Sequence, residues 1–246
     1  MNLLLVEHGE VSDDGTVVIS DRRADHLRSV IRAAVGSHVR TGIVGGGIGT
    51  AEVLADDGAR VTLRLAITEP APPPARIELV LAVPRPKVLT RVIEAAASFA
   101  VERIALTNAW RVDKSYLHSP RLAPDSLALA ARLGAEQGAT THLPPITIHL
   151  RLMELLDTRW PAPGSDVRLI AHPGGLPIEQ VDKAAGSPIT LAIGPEGGWI
   201  AREVETFVER GFVAVSLGSA ILRVETAVAA ALGQLMLLER IGALRD

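Results

Sequence analysis

Pro70-Ala71-Pro72-Pro73-Pro74 divides the 246-residue chain into two unlike parts. A run of prolines favours extended polyproline geometry and cannot continue a helix or a central strand. It is read as a linker between a domain at 1–70 and a domain at 75–246. Before it lie short β-branched runs, at Leu3–Val6, Val17–Ile19, Val39–Val44, Ala51–Leu54 and Val61–Ile67, separated by Gly, Asp and Ser. One helix is expected at Asp21–Ala34, with Ser20 or Asp21 as its cap. A small β-barrel carrying one helix fits this half. After the linker, apolar strand candidates (Ile77–Val83, Arg103–Thr107, Ile146–Ile148, Val167–Ala171, Ile189–Ile193, Val213–Leu217) alternate with helical stretches. The helices are expected at Lys87–Ala100, Ala123–Gln137, His149–Thr158, Ile178–Ala184, Ala201–Arg210 and Leu222–Ile241. Near-continuous apolar strands alternating with helices predict an α/β domain with a parallel sheet covered on both faces.

Composition narrows the chemistry. Apolar residues make up 48% and charged residues 22%, which excludes a disordered chain and supplies a core. Aromatics are only 3%, so the core must rest on Ala, Val, Leu and Ile. The absence of cysteine excludes a disulfide scaffold, a thiolate metal site and a cysteine nucleophile. The seven histidines form no HxxxH or HxH pair, so no metal site is expected. The segment MNLLLVEHGE has neither a basic region nor a long apolar one, and Ala227–Leu238 falls short of the ~20 residues that span a bilayer. The expectation is a cytoplasmic protein with no membrane partner. The net charge is −3, with 7 Arg and Lys against 10 Asp and Glu in residues 1–72, and 18 against 18 in residues 73–246. A nucleic acid could then be met only by a local basic patch.

In an open α/β sheet, ligands bind beyond the carboxyl ends of the strands, and three such ends stand out. The first is Ala171-His172-Pro173-Gly174-Gly175, where the strand is expected to stop in a turn. The second is Ile193-Gly194-Pro195-Glu196-Gly197-Gly198-Trp199, a bent loop of exposed backbone N–H groups before a helix. It is neither a Walker loop nor a GxGxxG fingerprint, so phosphate binding does not follow. The third runs from Leu217-Gly218 through Ile221-Leu222-Arg223-Val224-Glu225 into an almost wholly apolar helix, buried in a core or at a subunit interface. Arg223 and Glu225 are charges at an expensive place, and are either an ion pair capping the helix or functional groups. In the N-terminal half, Gly45-Gly46-Gly47-Ile48-Gly49 reads as a hairpin turn. Arg22, Arg23, Arg28 and Arg32 lie on the predicted helix, and the last two share a face at i, i+4. They form either a solvated face or a phosphate-contacting patch.

IGPEGGW and LGSAILRVETAVAAAL together resemble the ribosomal RNA small subunit methyltransferase E family, within the knotted SPOUT superfamily. HLRSVIRAAVGSHV, followed by a glycine-rich turn, resembles the PUA-like RNA-binding domain of the same family. The resemblance implies a trefoil knot in the C-terminal domain, a homodimer, S-adenosyl-L-methionine as cofactor and methylation of a uridine at N3 in the 16S rRNA of the small ribosomal subunit. It places the cofactor among Ala171, His172 and Pro173; Ile193, Gly194, Glu196, Gly197 and Gly198; and Leu217, Gly218, Ile221 and Leu222. The chain departs from the family in three places. Ala95-Ala96-Ala97-Ser98-Phe99-Ala100 stands where members read approximately KATELG. Glu136-Gln137-Gly138-Ala139-Thr140 stands where they read EQSGR, and Ile200 replaces a serine. Arg223 is the candidate for stabilising charge on the uracil oxygens, and Glu225 for orienting it or accepting the N3 proton. The competing readings are a related RNA methyltransferase with another target site or atom, and a non-catalytic RNA-binding relative. A dinucleotide-dependent oxidoreductase would need a glycine fingerprint that the first strand of the sheet lacks.

Overall fold

The computed structural model describes residues 2–181 and 187–243. The chain forms two compact units. The first takes the residues up to Pro73 together with Arg132–Leu143, and the second takes Pro74–Ala131 and the chain from Pro144 onward.

In the first unit, β1 (Leu4–Val6), β2 (Thr16–Ile19), β3 (His38–Ile43), β4 (Ile48–Asp56) and β5 (Val61–Glu69) form one sheet in the order β1-β3-β4-β5-β2. β1 and β3 are parallel and the other pairs antiparallel. Alternate residues such as Val17, Ile19, Val61 and Leu63 turn into a core shared with Ala24 and Leu27. The glycine run is the turn between β3 and β4, whose last pair is Gly42 with Ile48. Helix α1 (Arg22–His26) starts at Asp21, whose carboxylate accepts the Arg23 N–H at 2.9 Å. It widens into a π-type turn at Leu27–Ile31 and ends at Arg32, which is left-handed with φ 55°. The expected helix to Ala34 is therefore corrected: the helical turns stop at Ile31, and Arg32 itself takes the left-handed conformation that ends them. Residues 132–143 are stitched into this unit. The Glu136 carbonyl accepts the Asn2 and Leu3 N–H groups, both at 3.0 Å. Thr141 donates to the Gly46 carbonyl at 2.8 Å, and Arg132 pairs with Glu7.

The second unit is a six-stranded parallel sheet. β6 (Ala75–Ala82), β7 (Val101–Thr107), β8 (Ile146–His149), β9 (Val167–Pro177), β10 (Ile189–Ile193) and β11 (Val213–Ser216) lie in the order β11-β9-β10-β6-β7-β8. β10 is buried throughout, as are Leu79–Ala82 of β6, which explains the near-continuous apolar runs. The helices of this part of the chain are α2 (Pro86–Ser98), α3 (Pro124–Gly138), α4 (Leu152–Arg159), α5 (Ala201–Glu209) and α6 (Val224–Ala243). α2 buries Leu89, Val92, Ile93, Ala96 and Ala97, one stripe at helical spacing. Four of the seven aromatics gather at one place: Trp199, Phe207, Phe212 and Trp160 stack edge to face at 5.1, 4.9 and 5.5 Å between successive rings. Two positions, Ala100 and Ala139, hold φ of 53° and 55° without being glycine. They are the places where the resembled family carries glycine, so the fold keeps the left-handed turn even though the side chain makes it costly.

Two expectations change here. The helix expected at Ile178–Ala184 is one 3₁₀ turn, Ile178–Gln180, and the rest of that stretch extends into residues 182–186, outside the described residues. The strand expected to stop at Ala171 continues as β9, because its pairing with β11 jumps from Ile170 opposite Ala214 to Leu176 opposite Val215. Residues 171–175 are set aside from the ladder by that jump. Only glycine fits at Gly175, where an added Cβ would come within 2.4 Å of the Ala214 carbonyl carbon.

Candidate active site

The strand order reverses beside β6. From β6 the chain proceeds outward to β7 and β8, then returns on the other side of it as β9, β10 and β11. Such a switch leaves a crevice at the carboxyl ends of the strands. A cavity of about 820 Å³ opens there, and its walls contain all twelve residues assigned above to the cofactor, together with Arg223 and Glu225. That volume lies within the range of small-molecule sites.

Each wall is fixed by ordinary local forces. Pro195 fixes the loop after β10, and its carbonyl accepts the Gly198 N–H at 2.8 Å. Gly198 sits at φ 71°, a conformation L side chains rarely adopt. The Glu196 carboxylate accepts the backbone N–H of Arg85 at 2.9 Å, tying this loop to the one after β6. Trp199 is buried against Phe207. The loop after β11 is held from α6, where Gln234 donates to the Leu217 carbonyl at 3.0 Å. α6 makes its first turn when Ala227 N–H bonds to the Arg223 carbonyl at 2.7 Å, so Leu222 and Arg223 belong to the loop and Glu225 to the first helical turn. An acid is favoured there by the helix dipole.

Arg223 and Glu225 are not an ion pair. Neither side chain has a hydrogen-bond or ion-pair partner among the described residues. The helix-capping alternative is thereby removed, and both groups remain available to a ligand. The sequence reading assigned no role to Arg85, Arg111 or Trp199, which also line the wall. Arg111 follows β7 and donates to the Gly197 carbonyl at 2.5 Å. Nothing in its local sequence marks it, because the contact spans 86 residues of chain. The Trp199 indole N–H is buried without an acceptor among the described residues, close behind Gly194 of the same loop. Among the described residues, no group of His, Asp and Glu could hold a metal ion, and no helix is long and apolar enough to cross a membrane.

The N-terminal arginines are placed quite differently. Arg23 is 6% exposed, and its guanidinium donates to Glu10, Asp21 and the Leu5 carbonyl. Burial pushes the Asp21 carboxyl up, but the hydrogen bonds from Arg23 prevail and hold it below the usual carboxylate range. Arg22 makes a two-pronged pair with the buried Glu136, at 2.7 and 2.8 Å. Arg28 is paired with Asp56 and Asp25. Only Arg32 of the four has no carboxylate partner among the described residues. Arg23 is therefore a structural cation with no surface to offer a phosphate.

With this geometry in view, the comparisons with known proteins agree. A sequence model described as an RNA methyltransferase domain matches residues 71–236, which defines the class of the parallel-sheet unit. Ribosomal RNA small subunit methyltransferase E of Treponema pallidum is 31% identical over 240 residues, covering 94% of this chain and 89% of that protein. Ribosomal RNA small subunit methyltransferase E 1 of Borreliella burgdorferi is 25% identical over 235 residues, 94% and 95% of the two chains. The chain belongs to the ribosomal RNA small subunit methyltransferase E family. The crystal structure of the Neisseria gonorrhoeae ribosomal RNA small subunit methyltransferase E bound to S-adenosyl methionine shares the fold, with a TM-score of 0.79 at 23% identity, over 97% of this chain and 98% of that one.

Proposed function

We propose that this protein transfers a methyl group from S-adenosyl-L-methionine to N3 of a uridine in the 16S rRNA of the small ribosomal subunit. The observation that carries the reading is the closure of three loops, distant in sequence, around one cavity. The residues present suit that cofactor. Backbone groups of Gly194, Gly197, Gly198 and Leu217, with the apolar Ile193, Ile221 and Leu222, offer an adenine both hydrogen bonds and a slot. Ala171, His172 and Pro173 form the remaining wall. When bound, the cofactor supplies an electrophilic methyl carbon on a sulfonium.

The chain's own residues then have two tasks. They must hold N3 in line with that carbon, which is worth up to ~7–11 kcal/mol in lost orientational freedom. They must also favour loss of the N3 proton. Arg223 stabilises the negative charge that spreads onto the uracil oxygens. Glu225 orients Arg223 or takes the proton, directly or through water. The uridine leaves its stack to enter, at a cost of a few kcal/mol. The first unit is proposed to be a PUA-like barrel whose RNA contact falls to Arg32, with Arg22 and Arg28 held back by their acids. The trefoil knot, the cytoplasmic location and the homodimer belong to the same proposal. The exposed Ile221, Leu237 and Ile241 supply apolar surface that a second copy would cover.

Mass spectrometry of rRNA nucleosides from a deletion strain tests this reading. Loss of 3-methyluridine, restored by the intact gene, is expected. Loss of a different mark would reassign the target. Calorimetry that detects no S-adenosylmethionine binding would point to a non-catalytic RNA-binding relative.

A further inference from the structure

The segment 108–123, which follows β7, carries an exposed tryptophan that neither the fold nor the cavity explains. Its neighbours are well anchored: Ala109, Val112 and Leu122 are each 7–8% exposed within the core of the second unit. The Trp110 backbone N–H donates to the Glu203 carboxylate at 2.8 Å, and the adjacent Arg111 donates to the Gly197 carbonyl of the cavity loop. The segment is thus fixed at the cavity, yet it leaves Trp110 79% exposed. An indole held open on an anchored segment presents a flat apolar π-face on which another ring can stack.

The charges around it indicate what that partner is. Residues 108–123 hold Arg111, Lys114 and Arg121 against a single acid, Asp113. The Asp113 carboxylate is engaged by the Ser115 N–H and hydroxyl, at 2.9 and 2.8 Å. Lys114 and Arg121 are exposed and have no partner among the described residues. Arg85 and Arg223, also exposed, lie in the cavity wall. In a chain of net charge −3, the segment and the cavity wall carry a local excess of cations even with Glu203 counted, which is what a nucleic acid requires. A flat aromatic set among cations is how single-stranded RNA is gripped: bases stack on the ring, and the backbone is met by the charges.

We propose that Trp110 is a stacking platform for a nucleobase next to the target uridine, with Lys114 and Arg121 meeting the adjoining phosphates. The inference deepens the methyltransferase reading and rests on it. It makes the face of the second unit, rather than the arginine helix of the first, the principal grip on unstacked RNA.

The three tryptophans make the test direct. Trp160 and Trp199 are 4% and 5% exposed, so iodide quenching of emission reports Trp110. Addition of an oligouridine of about 12 nucleotides is expected to protect that emission. Trp110→Phe should remove the signal while keeping most of the RNA affinity. Trp110→Ala should weaken RNA binding by about tenfold or more, with S-adenosylmethionine affinity by calorimetry unchanged. Lys114→Ala and Arg121→Ala should each lower the slope of log affinity against log salt by about 0.7. Equal RNA affinity of wild type and Trp110→Ala would overturn the inference and leave the methyltransferase reading standing. Protection that rises with protein concentration without RNA would assign Trp110 to a contact between copies, and would overturn it too. A wild-type protein that binds neither the oligonucleotide nor small ribosomal subunits would overturn both.

Discussion

Two groups of arginines show how little a residue type says before its partners are known. Arg22, Arg23 and Arg28 in the first unit are each matched to carboxylates, and one of them is nearly sealed from water. Arg85 and Arg223 in the second unit line a cavity, and their guanidinium groups meet no acid among the described residues. The first group ties segments of the first unit together, since a buried cation is tolerated only when acids and carbonyls surround it. The second group can act, because charge that is unpaired at rest can be spent on a ligand. The difference lies in where the acids fold to, and the acids concerned stand up to 114 residues away in sequence.

The comparison can be broken by substitution. The largest effect is expected from Arg23→Ala, which strands Glu10, Asp21 and the Leu5 carbonyl. Removing one member of such a network should cost about 3 kcal/mol, read as a lowered urea midpoint, whereas Arg223→Ala should leave that midpoint unchanged. Next comes the rate. Arg223→Ala should slow methyl transfer ~10²–10³-fold, with S-adenosylmethionine affinity within a few-fold of wild type. Equal loss of both would make Arg223 a structural residue like Arg23. The smallest effect separates Arg28 of the first group from its unpaired neighbour Arg32. Arg32→Ala should flatten the salt dependence of RNA binding by about 0.7 in slope, and Arg28→Ala by less, because Asp56 and Asp25 already neutralise it. The reverse order would show that the ion pairs of Arg28 open on RNA.

Much of the fold was legible. β10 spans Ile189–Ile193 as expected, and the other strands differ from their expected limits mainly at the ends. Their apolar runs are the direct imprint of a sheet buried on both faces. The glycine loops at 193–199 and 217–222 were legible for the same kind of reason, since a strand followed by glycine and then a helix allows few conformations. Trp110 and Arg111 were not legible. An isolated Trp-Arg pair in a loop has no period, and only the burial of Ala109 and Val112 on either side shows that the exposure of Trp110 is imposed. The end of the N-terminal helix was misjudged because helical spacing was extended past Arg32, a left-handed residue that no glycine announced.

The sequence by itself determined the periodicities, the change of pattern at the proline run and the loops able to approach a ligand, because these depend on neighbours a few residues apart. Tertiary structure alone decided the membership of residues 132–143 in the first unit and the register jump in β9. It also decided which arginines are neutralised and which are free. Those outcomes depend on which distant groups arrive at the same place, and the energy of a charge or a hydrogen bond is set by that arrival.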